Sequence, residues 1–132
     1  MIISGLVIKG LGLGKKLGLP PTMNLRVRRI PKSLRHGIYA VFVRTPLGEF
    51  PGVLHFGPRP AVRAPLSFEV HCFGLKKNLY KKHVTVEIKK RIRAVKNFST
   101  IGMLKREIDK DIAKANRILK KEISKQPLSI LY

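Results

Sequence analysis

Apolar residues change period along this chain. Residues 38–43, Ile-Tyr-Ala-Val-Phe-Val, form a continuous apolar run rich in β-formers. Residues 66–72, Leu-Ser-Phe-Glu-Val-His-Cys, alternate, as do residues 84–88, Val-Thr-Val-Glu-Ile. Gly48, Pro51 and Pro58-Arg59-Pro60 read as turns between them. From Thr100 the step becomes three or four. Ile101, Leu104, Ile108, Ile112, Ala115 and Leu119 line one face of an amphipathic helix, which Ser99 or Thr100 can cap. Several strands with closely spaced turns, then one helix, predict a mainly β fold: a small antiparallel barrel with a C-terminal α-helix. A chain of 132 residues suits a single domain, with the barrel over residues 1–98 and the helix over 100–123.

Composition narrows this little. Hydrophobic residues make up 44%, enough for a core, and no apolar run reaches the length of a membrane span. Met1-Ile2-Ile3-Ser4 lacks the basic start of a secretory signal. Cys72 is the single cysteine, and no Cys/His cluster suggests zinc. A reducing, cytoplasmic setting and a monomer are the simplest expectations.

The charge changes the picture more. Lys and Arg number 28 against 7 Asp and Glu, a formal net charge of +21. Residues 1–48 hold no acidic residue, and Lys76-Lys77, Lys81-Lys82 and Lys89-Lys90-Arg91 crowd one stretch. Such a balance attracts polyanions, RNA among them, or else is a solvated surface. Aromatic residues are 7% and Trp is absent, which argues against recognition by base stacking.

The segment from Gly5 to Leu25 carries the chemistry. Its glycines are Gly5, Gly10, Gly12, Gly14 and Gly18, and Pro20-Pro21-Thr22-Met23-Asn24 closes it. Without a Cβ, backbone N–H groups can approach an anion and form a nest for phosphate oxygens. Gly10, Gly12, Gly14 and Gly18, with Lys15 and Lys16, are thus candidate nucleotide-binding residues. The run fits neither a Walker A loop nor a dinucleotide fingerprint. A flexible glycine-rich turn between strands is the alternative. Thr22 and Asn24 are two apart and share a side of an extended chain. Their oxygens are hard donors suited to Mg²⁺ held mainly by substrate phosphates.

Glu69 is the candidate base. It lies opposite the face made by Leu66, Phe68, Val70 and Cys72, together with Ser67 and His71. It is the only carboxylate between Glu49 and Glu87, in a strongly positive surrounding that keeps it ionised. By spacing alone, an exposed strand glutamate paired with a lysine is the alternative. His71 reads as a satisfied barrel histidine.

In order along the chain, these motifs resemble the riboflavin kinase (flavokinase) family. Leu17-Gly18 and Pro21-Thr22-Met23-Asn24 resemble its Leu-Gly and Pro-Thr-Ala-Asn. Gly37-Ile38-Tyr39-Ala40, Gly57-Pro58-Arg59-Pro60 and Phe68-Glu69-Val70-His71 follow, then Leu79-Tyr80, Ile92-Arg93 and Phe98. The likeness covers residues 4 to 120. It implies a six-stranded Greek-key barrel with a helix beside it. It also implies an ATP:riboflavin 5′-phosphotransferase using Mg²⁺ and ATP to make FMN, with Glu69 as base. It adds Tyr80 to the nucleotide contacts and places the flavin between residues 93–98 and the helix. There Phe98, Met103 and Leu104 would supply an apolar wall, and Arg93 an edge contact. Phe98 as a mere anchor for the helix is the alternative. An adenylyltransferase domain, common in bacterial bifunctional relatives of the family, is not expected, so FMN and not FAD would be the product.

The family pattern is not kept throughout. Leu13 replaces the loop arginine, Ala61 a threonine, and Asn78-Leu79-Tyr80-Lys81 stands for Asp-Leu-Tyr-Gly, while Pro20 is extra. With the +21 charge, these changes keep a second reading open: a nucleic-acid- or ribosome-associated protein on a catalytically decayed kinase fold.

Overall fold

The computed structural model describes residues 1–10, 17–59 and 64–124. Among the described residues, six strands come first: β1 (Ile2–Ile8), β2 (Met23–Arg26), β3 (Gly37–Thr45), β4 (Gly48–Arg59), β5 (Ala64–Cys72) and β6 (His83–Arg93). One helix, α1 (Ile101–Ser124), follows. The strands close a barrel in the order β1-β2-β5-β4-β3-β6, and every pairing is antiparallel. β3, β4 and β5 run as a meander, and β6 returns to lie beside β3, which is a Greek key. The expected architecture is the one observed.

Burial explains the two kinds of strand. In β5, Phe68, Val70 and Cys72 face the barrel interior. Leu66 belongs to the same alternation but is 52% exposed, so the predicted inner face ends one pair early. In β3 both faces are covered. Tyr39, Val41 and Val43 fill the barrel, while Ala40 and Phe42 pack outward against Ala115 and Leu119 of α1. A strand buried on both sides has no polar face to show, which is why its sequence is an unbroken apolar run. The helix therefore sits outside the barrel wall, over β3, β4 and β6.

The predicted turns at Pro51 and Pro58 are not turns. β4 runs through both prolines. Pro51 contributes only a carbonyl, to the Phe73 N–H at 2.8 Å. Pro58 sits where the β4–β5 register shifts, and a bulge tolerates the missing N–H. The real β3–β4 turn is Pro46-Leu47, pinned by the Thr45 hydroxyl donating to the Gly48 carbonyl at 2.8 Å. Thr100 is the helix cap: its Oγ1 accepts the Met103 N–H at 3.1 Å. Ile101 is exposed, and the apolar stripe takes hold only deeper in the helix, at Ala115 and Leu119.

Candidate active site on the outer barrel wall

The register of the sheet brings the two polar candidates together. Asn24 on β2 pairs with Glu69 on β5, and Glu69 pairs in turn with His55 on β4. Their chain neighbours Leu25, Phe68, Val70, Leu54 and Phe56 are buried in the core. Alternation therefore puts Asn24, Glu69 and His55 side by side on the outer wall. The same row continues through Ile38 on β3 to Arg93 on β6. Three residues far apart in sequence thus share one line around the barrel.

The glycine-rich segment meets this row at Gly10. A Cβ built there would strike the side-chain amide of Asn24, so a larger residue at this position would have to displace that amide. Gly12, Gly14, Lys15 and Lys16 lie outside the described residues, as do Leu13 and Ala61. Gly18 is described and adopts the left-handed conformation, φ 70°. The Lys105 ammonium lies over it, 3.2 Å from where a Cβ would stand. Gly18, Leu19 and Pro20 form one side of a groove of ≈ 380 Å³, and Lys105 and Asp109 of α1 form the other. The approach to Thr22 is held by His71, whose Nδ1 is 2.7 Å from the Pro21 carbonyl. His71 thus fastens the segment that carries the two oxygen donors. Thr22 is exposed and Asn24 half-buried.

Those donors suit Mg²⁺. Among the described residues no group of three or more His, Cys, Asp and Glu side chains gathers to hold a metal ion. A hydroxyl and an amide oxygen, without a carboxylate cage, fit a hard cation that takes most of its ligands from phosphates and water. Cys72 is no alternative nucleophile. It faces the core, and burial pushes its thiol up to about 12.

Tyr80 lies where the turn after β5 meets β1. The Lys81 N–H donates to the Val7 carbonyl at 3.0 Å, which brings Tyr80 beside the strand leading into the glycines. Its ring is exposed, with the Lys81 ammonium 5.5 Å from its centroid. Leu79, by contrast, is buried in the core.

The flavin candidates cluster around the start of α1. Phe98 and Leu104 are half-buried, and Met103 is exposed. Arg93 is already engaged. Its Nε and Nη2 donate to both Asp111 carboxylate oxygens at 2.9 and 2.7 Å, and Nη1 donates to the Ala94 carbonyl at 3.0 Å. Glu107 adds a second carboxylate at 3.5 Å, and the guanidinium lies 5.8 Å from the Phe98 ring centroid. Arg93 therefore clamps β6 to α1, and three of its five N–H donors are spent there. Asp111 is buried, a partner that the helical stripe of apolar residues gave no reason to name. A groove of ≈ 400 Å³ lies along residues 94–97, lined also by His36, Pro58 and Arg91.

Sequence reasoning missed His55. Nothing local marks it; only the β4–β5 register reveals that it stands beside Glu69. Ser67 completes the group, with its Oγ 3.2 Å from His55 Nδ1.

Comparison with known proteins bears on the family and the fold. The bifunctional riboflavin kinase/FMN adenylyltransferase of Haemophilus influenzae is 39% identical over 115 residues, 86% of this chain and 37% of its own. The RNA-binding riboflavin kinase RibR of Bacillus subtilis is 32% identical over 114 residues, 85% of this chain and 48% of its own. The chain thus spans less than half the length of either relative. A crystal structure described as a macrolide-efflux protein from Streptococcus pneumoniae superposes with a TM-score of 0.77 over 87% of this chain and 38% of that one. At 23% identity that likeness is one of fold. The riboflavin kinase (flavokinase) model matches residues 1–119. With the barrel closed as the motifs imply and Asn24 beside Glu69, the chain belongs to the riboflavin kinase family.

Proposed function

We propose that this chain phosphorylates the 5′-hydroxyl of riboflavin with ATP and Mg²⁺ to give FMN. The observation that carries the reading is the pairing of Asn24 with Glu69 across β2 and β5. It sets a hard oxygen donor and a carboxylate side by side. Phosphoryl transfer to an alcohol asks for that pair: neutralised phosphates next to a group that takes the hydroxyl proton. Glu69 accepts the proton from the 5′-hydroxyl as that oxygen bonds to the γ-phosphorus. The bond from phosphorus to the bridging oxygen breaks, and ADP leaves with the electron pair. Thr22 and Asn24 would hold Mg²⁺, whose charge offsets that of the phosphate oxygens. The glycine-rich segment and Tyr80 bound the nucleotide side. Phe98, Met103 and Leu104 form the apolar wall for the ring system. Arg93 serves that wall through its clamp, beneath Phe98. The test is chromatography of a reaction with riboflavin, ATP and graded Mg²⁺. FMN that rises with Mg²⁺ is expected; none from a folded protein at any Mg²⁺ concentration rejects the reading.

A second property is supported by a separate observation, the net charge of +21. The similar RibR is by its name RNA-binding. On this reading the chain also binds RNA through its basic surface, without base-specific contacts.

A further inference from the structure

Glu69 has a neighbour that the chemistry above does not use. We propose that His55 is a positioning residue for Glu69: its imidazole holds the carboxylate of the base in line with the substrate hydroxyl. The inference rests on the kinase reading. Residues directly opposite in an antiparallel pair have Cβ atoms about 4.5–5.5 Å apart. An imidazole at His55 and a carboxylate at Glu69 therefore stand within reach on one face. Ser67, two residues before Glu69, shares that face and orients the ring, with its Oγ 3.2 Å from Nδ1. A hydroxyl has one proton to give, here to His55 Nδ1 or to the Gly57 carbonyl at 3.3 Å. Given to Nδ1, it fixes the tautomer with the ring proton on Nε2, the nitrogen that then serves the carboxylate.

The surroundings favour this task. On the β3 side of His55 the row continues with Ile38, apolar and buried, which offers the imidazole no competing acceptor. On the far side of Glu69 stands Asn24. The carboxylate thus lies between an imidazole and the amide next to the phosphates. A base fixed in this way loses less orientation during transfer, and a small misplacement of a reacting group is costly in rate.

The experiment compares His55→Phe, which keeps a ring but donates nothing, with His55→Asn, which keeps an N–H donor. His55→Phe should lower kcat about 10- to 10²-fold with KM for riboflavin and ATP nearly unchanged. His55→Asn should recover most of the loss. Ser67→Ala, which frees the ring without removing it, should lower kcat less and serves in place of His55→Phe if that variant does not fold. In the intact chain, the His55 ring ¹⁵N signals should move in Glu69→Gln. Normal kcat in both His55→Phe and Ser67→Ala, or a loss carried by KM, would overturn the proposal, and so would ring signals that ignore Glu69→Gln. The NMR comparison needs no turnover. A chain that makes no FMN would therefore reject the kinase reading while the ring signals still decide the His55–Glu69 link.

Discussion

At the scale of single residues, Glu69 and Asn24 divide the proposed work, and each change should move a different quantity. Glu69→Gln keeps shape and removes the proton acceptor. Turnover should fall about 10²-fold or more, the range for a general base, while riboflavin binding measured by flavin fluorescence changes little. Asn24→Ala should instead weaken Mg²⁺-dependent nucleotide binding. Near-normal turnover in Glu69→Gln would remove it as the base. Both residues were legible in the sequence because each belongs to a motif. His55 was not, since its meaning is its partner across the sheet, and a strand does not announce its register. Lys81 shows a different limit. It stands where the family motif has glycine, and its backbone takes the left-handed conformation, φ 68°. A side chain there costs about 1–2 kcal/mol, against which glycine loses more chain entropy. Lys81→Gly should thus raise stability by about 1 kcal/mol in a denaturant melt. An unchanged or lower midpoint would show that the contact of Lys81 with Tyr80 outweighs the strain.

At the scale of elements, the join between β6 and α1 organises the side of the barrel proposed for the flavin. The bidentate Arg93–Asp111 pair, with Glu107 beside it, ties the last strand to the second and third turns of the helix. Deeper along α1, Ala115 and Leu119 lock onto Ala40 and Phe42. Between these strand and helix anchors, residues 94–100 form a connection without regular structure, and Phe98 sits within it. On the proposed reading, this segment, fixed at both ends by strand and helix, closes over the flat ring and excludes water. Riboflavin with ADP and Mg²⁺ should therefore protect residues 93–107 from amide exchange more than any other segment. Protection limited to residues 5–25 would remove the flavin from this side of the barrel. Sequence pattern had located these elements well: β3, β5, β6 and α1 each carried a period or an apolar run. It failed at β4, where Pro51 and Pro58 read as breaks. A proline that contributes only a carbonyl, or that sits at a bulge, costs a strand little. It failed again at Asp111, because a buried acid on a helix makes sense only once Arg93 is seen to cross from the sheet.

At the scale of the whole molecule, charge is the property that the proposed catalysis does not require. The seven carboxylates are largely taken up locally. Glu49 pairs with Arg44, Glu87 with Arg44 and Lys89, Glu107 with Arg93 and Lys96, and Asp111 with Arg93. The Lys89 contact holds the Glu87 carboxyl below its usual range, so that acid stays charged and occupied well into mild acidity. Among the described residues, many Lys and Arg side chains face solvent. They are spread rather than gathered: Lys105 and Lys114 on α1, Arg28, Arg29 and Lys32 between β2 and β3, and Lys90 on β6 are all exposed. A field this broad is spread over several elements, and the chain has few aromatic residues to stack on bases. It should bind RNA through phosphates alone, releasing counterions as it does. Fluorescence anisotropy with a labelled single-stranded RNA should show log K falling linearly with log salt. Six to ten phosphate contacts would cost about 10³–10⁵ in affinity between 50 and 200 mM salt for a duplex, and somewhat less for a single strand. Oligonucleotides of different sequence should bind alike. Binding that survives salt, or that separates one sequence from another, would mean a built recognition site and not a field. No binding at 50 mM salt would leave the +21 charge as a solvated surface, and RNA contact would drop out of the reading.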